Sequence, residues 1–188
     1  MSLSEPHIRH KLSVSDYYRM GDAGILDEDD RVELIEGELI DMAPIGSHHA
    51  GIVAQLVAAL AQALAGKAIV WPQNLIRLDS YSVPQPDIIV LKTRPDFYKN
   101  ALPEPADVLL LIEVADTTLD YDRNTKVPLY ARHGIVEAWL VDINARQLER
   151  YHQPAETGYG QKDIFTPQQA ISPLALPWAV LDLAAVLN

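Results

Sequence analysis

The sequence predicts an α/β protein. Three stretches carry that expectation: a strand over Asp107–Ala115 that is apolar on both faces, an alanine-rich helix over Ser47–Ala65, and a strand–helix–strand succession from Leu109 to Asp142. In the first of these, Leu109, Leu111 and Glu113 share one face, and Val108, Leu110, Ile112 and Val114 share the other. Apolar side chains on both faces mark a central strand covered on both sides. Glu113 is the exception, because a lone buried charge is costly. A cation, a donor or water is therefore expected beside it.

Taken in order, Ser13 or Ser15 caps a short helix, SDYYRMGD, and a loop of turn formers and charges runs from Gly21 to Asp30. The run RVELIEGELIDMAP alternates imperfectly and is split by Gly37, which predicts a hairpin or a bulged pair of strands. Glu33 and Glu36 fall on opposite faces there, so at most one points inward. A solvated acidic hairpin is the plainer reading of both. In the helix over Ser47–Ala65, Ile52, Leu56, Leu60 and Leu64 repeat every four residues, with Ser47 as its cap and Gly66 as its stop. His48 and His49 lie in its first turn, where the helix dipole favours a neutral imidazole or an anionic neighbour. A histidine pair so placed is commonly incidental.

Strands follow around Ile69–Leu78 and Asp87–Leu91, and the proline of QPD sets Asp87 at the first position of the second. Beyond the central strand, Asp122 and Lys126 are four residues apart on one helical face, with Tyr130 a turn further on. Pro128 predicts a kink or a broken turn in that helix, Gly134 stops it, and IVEAWLVD resumes a strand. NARQLERYHQPAETGYG reads as a strand and a loop, and DIFTP as a short strand. LPWAVLDLAAVLN reads as a last helix packing Leu181, Leu183 or Ala184, and Leu187. There is no internal repeat, glycine-rich phosphate loop or nucleophile elbow.

If the strand that begins at Asp87 pairs antiparallel with the strand that ends near Glu113, the two carboxylates meet at one edge. They repel each other unless a proton or a cation sits between them. The chain has no cysteine, so a hard divalent cation held by oxygens, Mg²⁺ or Mn²⁺, is the natural occupant. The alternative has Asp87 capping a turn and Glu113 in a buried salt bridge with Lys126.

A length of 188 residues with 48% hydrophobic content fits one domain, residues 1–188, with a substantial core. The first residues show no apolar secretory region, no apolar run is long enough to cross a bilayer, and disulfides are excluded. The cytoplasm is therefore the expected compartment. A net charge of −11 argues against a protein that coats nucleic acid. The acidic excess is concentrated between Asp22 and Asp41, Glu28 included. The region from Arg123 to Arg150 is near balance, and a polyanion is expected to approach there.

VELIEGEL, His49 at the start of its helix, QPDIIV, LLLIEVA and above all DYDRNTKVPLYARHGIVEAWLVD resemble the Uma2 family, a branch of the PD-(D/E)XK restriction-endonuclease-like superfamily. The resemblance runs from about Ser13 to Asp142, with a weaker echo in LPWAVLDL. It implies a restriction-endonuclease-like mixed β-sheet flanked by helices and a phosphodiesterase centre dependent on Mg²⁺ or Mn²⁺. Asp87 stands at the PD position and Glu113 at the (D/E) position, so both would be metal ligands. The superfamily lysine position is occupied by Ala115. Lys126 matches the lysine that takes over from the next helix in Uma2-like chains. Glu33 and His49 also fit family positions and complete the candidate catalytic set.

The expected function is a divalent-metal-dependent endonuclease acting on DNA. Pairing as a homodimer would extend the short footprint of one small domain. Two other readings stand beside it. A non-catalytic binding or regulatory module is favoured by Ala115 and the acidic composition, and a metal-dependent hydrolase of a small phosphoester would reconcile the charge with the site. A nuclease needs a cleft flanked by cations such as Arg123, Arg132 or Lys92, whereas a small-molecule enzyme needs a closed pocket.

Overall fold

The structure is a computed structural model, and it describes residues 9–27 and 29–187. The reading of the first eight residues, Glu28 of the acidic run, and the terminal Asn188 lie outside the described residues. The chain opens with α1 (Val14–Asp22), whose N-cap is Ser13. Its hydroxyl accepts from the Asp16 backbone while the Asp16 carboxylate accepts from the Ser13 backbone, a reciprocal box. β1 (Val32–Ile35) and β2 (Glu38–Asp41) form the predicted hairpin, closed by Glu36 and Gly37 at φ of 50° and 85°. Two successive residues of positive φ match the twist of a two-residue hairpin.

α2 (Ser47–Leu64) follows, with Gly46 rather than Ser47 at its N-cap and no side-chain cap. It ends when Ala65 turns left-handed, one residue before Gly66. β3 is shorter than expected, Ile69–Pro72, because Pro72 lacks a ladder donor and Gln73 adopts a φ of 48°. β4 (Ile88–Leu91) and β5 (Val108–Ala115) come next, separated by a loop and a 3-10 turn at Pro105–Asp107. A short α-helical turn, α3 (Leu119–Tyr121), leads through a π-helical turn (Asp122–Lys126) into α4 (Val127–Arg132).

β6 (Glu137–Asp142), β7 (Gln147–Ala155) and β8 (Gly158–Phe165) complete the main sheet. The last two form a long hairpin in place of the expected strand, loop and short strand. In the tail, most of the expected last helix is replaced by a small β-pair, β9 (Ala170–Ile171) with β10 (Leu181–Asp182), and a single turn, α5 (Ala184–Leu187). Leu181, Leu183 and Leu187 are buried there as expected, while Ala184 is only partly covered. No described helix is long and apolar enough to cross a membrane.

The six-stranded sheet has the order β3-β4-β5-β6-β7-β8 and is antiparallel throughout except for β5 and β6, which run parallel. Parallel neighbours require a crossover, and α3, the π turn and α4 supply it. α2 and the tail cover one face, packing Leu56, Leu60 and Leu64 on Ile88, Ile112 and Val114. Leu129 and Tyr130 of α4 cover the opposite face with Ile89, Leu91 and Leu111. β5 is thus buried on both faces, as its sequence requires.

One detail departs from simple alternation. Pairing with β4 slips between Val90, opposite Leu110, and Leu91, opposite Val108, so Leu109 is an unpaired bulge residue. Leu109 consequently packs with the α2 side, and Val108 with the α4 side. From Leu110 onward the alternation holds, and Glu113 faces α4.

The hairpin β1–β2 is bound to the body of the protein through backbone bonds from Val83 to Leu34 and from Gly37 to Tyr81, at 2.8 Å each. At Gly37 an added Cβ would stand 2.6 Å from Lys11 Cβ in a left-handed backbone. Gly37→Ala is therefore expected to destabilise the protein by about 1–3 kcal/mol, read as a lower midpoint in urea denaturation. Gly24→Ala shares the positive φ and meets no neighbour, so it separates the backbone cost from the clash.

Candidate active site

Asp87 directly precedes β4, and the register Ile88 opposite Ile112 carries Asp87 to the level of Glu113 on β5. The two carboxylates therefore meet at one edge, as antiparallel pairing predicts. Asp87 Oδ2 accepts from the Val114 backbone at 2.9 Å and faces His49 Nε2 at 3.1 Å. His49 stands in the first turn of α2, so the anionic neighbour expected at that helix end is Asp87. Its hydrogen bond to Asp87 raises the imidazole pKa, against the lowering caused by burial.

Glu113 is buried and uses a single oxygen for its protein contacts. Glu113 Oε1 accepts from Lys126 Nζ at 2.9 Å and from the Tyr130 hydroxyl at 2.5 Å. Lys126 is buried as well, and its ammonium reaches Glu33 Oε2 at 3.3 Å. That oxygen of Glu33 also accepts from the Gln85 backbone at 3.1 Å. Glu33 is 3% exposed, so the solvated reading of the acidic hairpin is overturned for this residue. It holds for Glu36, which lies on the exposed turn and meets Arg132 at 3.0 Å.

The helical face on which Asp122 and Lys126 were expected together is broken by the π turn. The Val127 amide bonds to the Asp122 carbonyl, five residues back. This rotates Lys126 toward β5, while the Asp122 carboxylate turns to Thr118 Oγ1 at 2.6 Å. Asp122 does not hold Lys126 by an ion pair. Pro128 explains the break, since it offers no amide to the carbonyl four residues back. The buried Glu113–Lys126 salt bridge of the alternative reading is present, and it coexists with the meeting of Asp87 and Glu113.

Electrostatically the site is short of cations. Burial pushes Glu113 up to about 8; Lys126 pulls it down, while Asp122 and Asp87 push it further up. Asp122 is raised too, chiefly by burial. Burial opposes the charge on Lys126, yet Glu113, Glu33 and Asp122 together raise its pKa, so it stays an ammonium. Three acidic side chains thus act on one buried ammonium, with Asp87 beside Glu113 as a fourth in the site.

These groups line a cleft of about 770 Å³ between the β1–β2 side and the segment Asp116–Asp122. Its charged lining is otherwise Asp41, Asp116 and Arg31, and the Arg31 guanidinium bonds to the Ala43 carbonyl at 2.9 Å. The cations expected to flank the cleft are engaged elsewhere. Arg123 pairs with Glu149 at 3.0 Å, Arg132 with Glu36, and Lys92 donates to the Ala106 carbonyl at 2.6 Å. Arg150 in turn pairs with Asp163 at 2.6 Å, so the near-balanced Arg123–Arg150 region is internally neutralised.

Sequence reasoning missed Arg31, Gln85 and Tyr121 as cleft residues. Gln85 carries a signal in hindsight, as the residue held extended before Pro86. Tyr121 carries none, because its direction depends on the turn that follows it.

A mixed sheet with helices on both faces and this crossover defines an α/β protein of the restriction-endonuclease-like class. The chain belongs to the Uma2 family, whose model, described as "putative restriction endonuclease", matches residues 14–184. Among solved structures it is similar to a "putative nuclease belonging to DUF820" from Anabaena variabilis. The two are 17% identical, with a TM-score of 0.72 over 94% of this chain and 97% of that one. At that identity the likeness speaks for the fold. No curated protein matches the chain.

The buried ion cluster gives a direct prediction. Lys126→Met leaves Glu113 and Glu33 without their shared cation and should cost about 3–5 kcal/mol in denaturant unfolding. Adding Glu113→Gln to the same chain is expected to recover a good part of that loss. Equal stability of wild type and Lys126→Met would show that the ammonium is not holding the cluster.

Proposed function

We propose that this protein is a divalent-metal-dependent endonuclease that hydrolyses DNA phosphodiester bonds in the cleft built by Asp87, Glu113 and Lys126. The observation that carries this reading is the convergence of these three residues, with Glu33 and His49 beside them, on one cleft that has more carboxylates than cations. Such a centre suits a hard cation. The protein's hydrogen bonds end on Oδ2 of Asp87 and Oε1 of Glu113, so the second oxygen of each accepts none from the described residues. No group of three His, Asp or Glu is gathered around one point among the described residues. That donor set fits Mg²⁺ or Mn²⁺ held by two carboxylates and water, the usual arrangement for Mg²⁺.

Asp87 and Glu113 would be the protein ligands. When bound, the ion supplies charge at the scissile phosphate and lowers the pKa of an attacking water. Lys126 fixes the orientation of Glu113 and brings a permanent positive charge to the same point, where charge develops on the phosphate. Glu33 holds Lys126 from the other side and is itself held by Gln85. His49 orients Asp87 through Nε2, and its Nδ1 is buried with no hydrogen-bond partner among the described residues, able to accept from a water or, in the protonated imidazole, to donate to a phosphate oxygen.

The acidic lining has a consequence for substrate. DNA entering a cleft with Asp41, Asp116 and Asp122 on its walls must bring cations with it. Binding is expected to strengthen as Mg²⁺ is raised, the reverse of the salt weakening seen where lysines and arginines meet the phosphates. A homodimer would supply the longer footprint that one cleft lacks.

The test is cleavage of supercoiled plasmid and of labelled single-stranded DNA with Mg²⁺ or Mn²⁺, comparing wild type with Asp87→Ala and Lys126→Ala, each checked for folding by circular dichroism. Metal-dependent cleavage reduced by about 10²–10³ in both variants is expected. Cleavage that persists in both marks a contaminant. A folded wild type inactive at every metal concentration on both substrates would overturn the reading.

A further inference from the structure

Tyr121 lines the same cleft, and its hydroxyl is buried with no hydrogen-bond partner among the described residues. Every other inward tyrosine has an acceptor. Tyr17 donates to the Val32 carbonyl, Tyr98 to the Lys92 carbonyl, Tyr130 to Glu113, Tyr151 to Glu149 and Tyr159 to the Ile135 carbonyl. A buried polar group left unpaired weakens a fold and calls for an explanation. The remaining orphan in the site, His49 Nδ1, belongs to another residue that lines the cleft.

We propose that Tyr121 is a substrate-contacting residue whose phenol donates a hydrogen bond to a non-bridging oxygen of the phosphodiester. The inference deepens the nuclease reading and rests on it. Tyr121 closes α3 immediately before the π turn that carries Lys126, so its ring and the ammonium are presented to the cleft by one rigid segment. The carboxylates nearest it are already committed. Glu113 is engaged by Lys126 and Tyr130, Asp122 by Thr118, and Glu33 by Lys126 and Gln85. Burial, with Glu33 next in effect, pushes the phenol up to about 12, so it stays protonated and a donor across the neutral range. A neutral donor facing a cleft crowded with carboxylates suits an anionic oxygen that arrives with its own cation. The phenol can approach that oxygen without altering the charge of the site.

Tyr121→Phe keeps the ring and removes only the oxygen. The expected result is a kcat/KM for plasmid cleavage lowered by about 10–100-fold, with a melting temperature equal to or above that of wild type, because an unpaired buried hydroxyl is gone. A melting temperature several degrees lower would place the hydroxyl in a bond that holds the fold and would overturn the proposal. Unchanged stability with unchanged kinetics would overturn it equally.

A binding measurement separates this inference from the nuclease reading. Fluorescence anisotropy of a short labelled oligothymidylate with Ca²⁺ in place of Mg²⁺ is expected to show Kd raised by about tenfold in Tyr121→Phe, roughly the worth of one such hydrogen bond. If the wild type binds the oligonucleotide but cleaves nothing, the nuclease reading fails, and a weaker Tyr121→Phe still supports the contact. Equal binding by the two proteins, or none by either, overturns the contact.

Discussion

A single buried ammonium organises this molecule. Lys126 Nζ lies between Glu113 of the central strand and Glu33 of the amino-terminal hairpin, and it is carried by the crossover between the two parallel strands. Three parts of the chain that are distant in sequence are thus tied at one charged point inside the protein. Burying an ammonium with two carboxyl groups is expensive, and their attraction offsets the cost only when the geometry is good and the remaining lone pairs are satisfied. Here Tyr130 and the Gln85 amide provide those extra bonds. An apolar cluster of the same shape would hold the fold at least as well, so stability alone does not account for the charges.

The π turn is the device that brings Lys126 into place. In a regular helix continued from α3, Lys126 would stay in line with Asp122, and the two would pair along the helix surface. One extra residue in the turn advances the phase of everything beyond it. Lys126 and Tyr130 therefore reach the same oxygen of Glu113, while Asp122 is left to Thr118 and to the cleft. The segment is further pinned by Arg123, which forks onto buried Glu149 of β7. π turns are uncommon and concentrate at functional positions. This one is enforced locally by Pro128, whose missing amide makes a regular ladder impossible at that point.

These features differ in how far the sequence alone made them legible. The central strand, the long helix, the hairpin split at Gly37 and the meeting of Asp87 with Glu113 all follow from periodicity, turn chemistry and the rule that antiparallel strands bring opposite ends together. Each of those depends on nearest neighbours or on one pairing. The bulge at Leu109 and the burial of Glu33 do not, because each is settled by an element remote in the chain, and the turn of Asp122 to Thr118 follows from the π turn rather than from a regular helical face. Glu33 reads as solvated until the crossover brings Lys126 onto it. The arginines read as free until Glu149, Asp163 and Glu36 are seen to hold them. Charge counted along a sequence therefore overstated the basic character of the Arg123–Arg150 region, since most of it is cancelled in the fold.

That cancellation sharpens the electrostatic problem of the cleft. Ion pairs engage Arg123 and Arg132, and Lys92 is turned to the Ala106 carbonyl, so the charged lining of the cleft is left with Arg31 and the buried Lys126 facing Asp41, Asp87, Asp116 and Asp122. Long-range attraction of a polyanion is thus weak or reversed, and recognition of one would have to be short-ranged. Within the cleft the balance changes sign over a few ångströms. A divalent cation on Asp87 and Glu113 would add to Lys126 and convert the innermost point from anionic to cationic, while the rim stays acidic. On the proposed reading such a site would discriminate by metal occupancy: the acidic lining alone disfavours a phosphate, and an ion on Asp87 and Glu113 would supply the positive charge that favours one at the innermost point. The neutral donors of the cleft, the Tyr121 hydroxyl among them, suit that arrangement better than further lysines, since they can bind a phosphate oxygen without competing with the cation for the carboxylates.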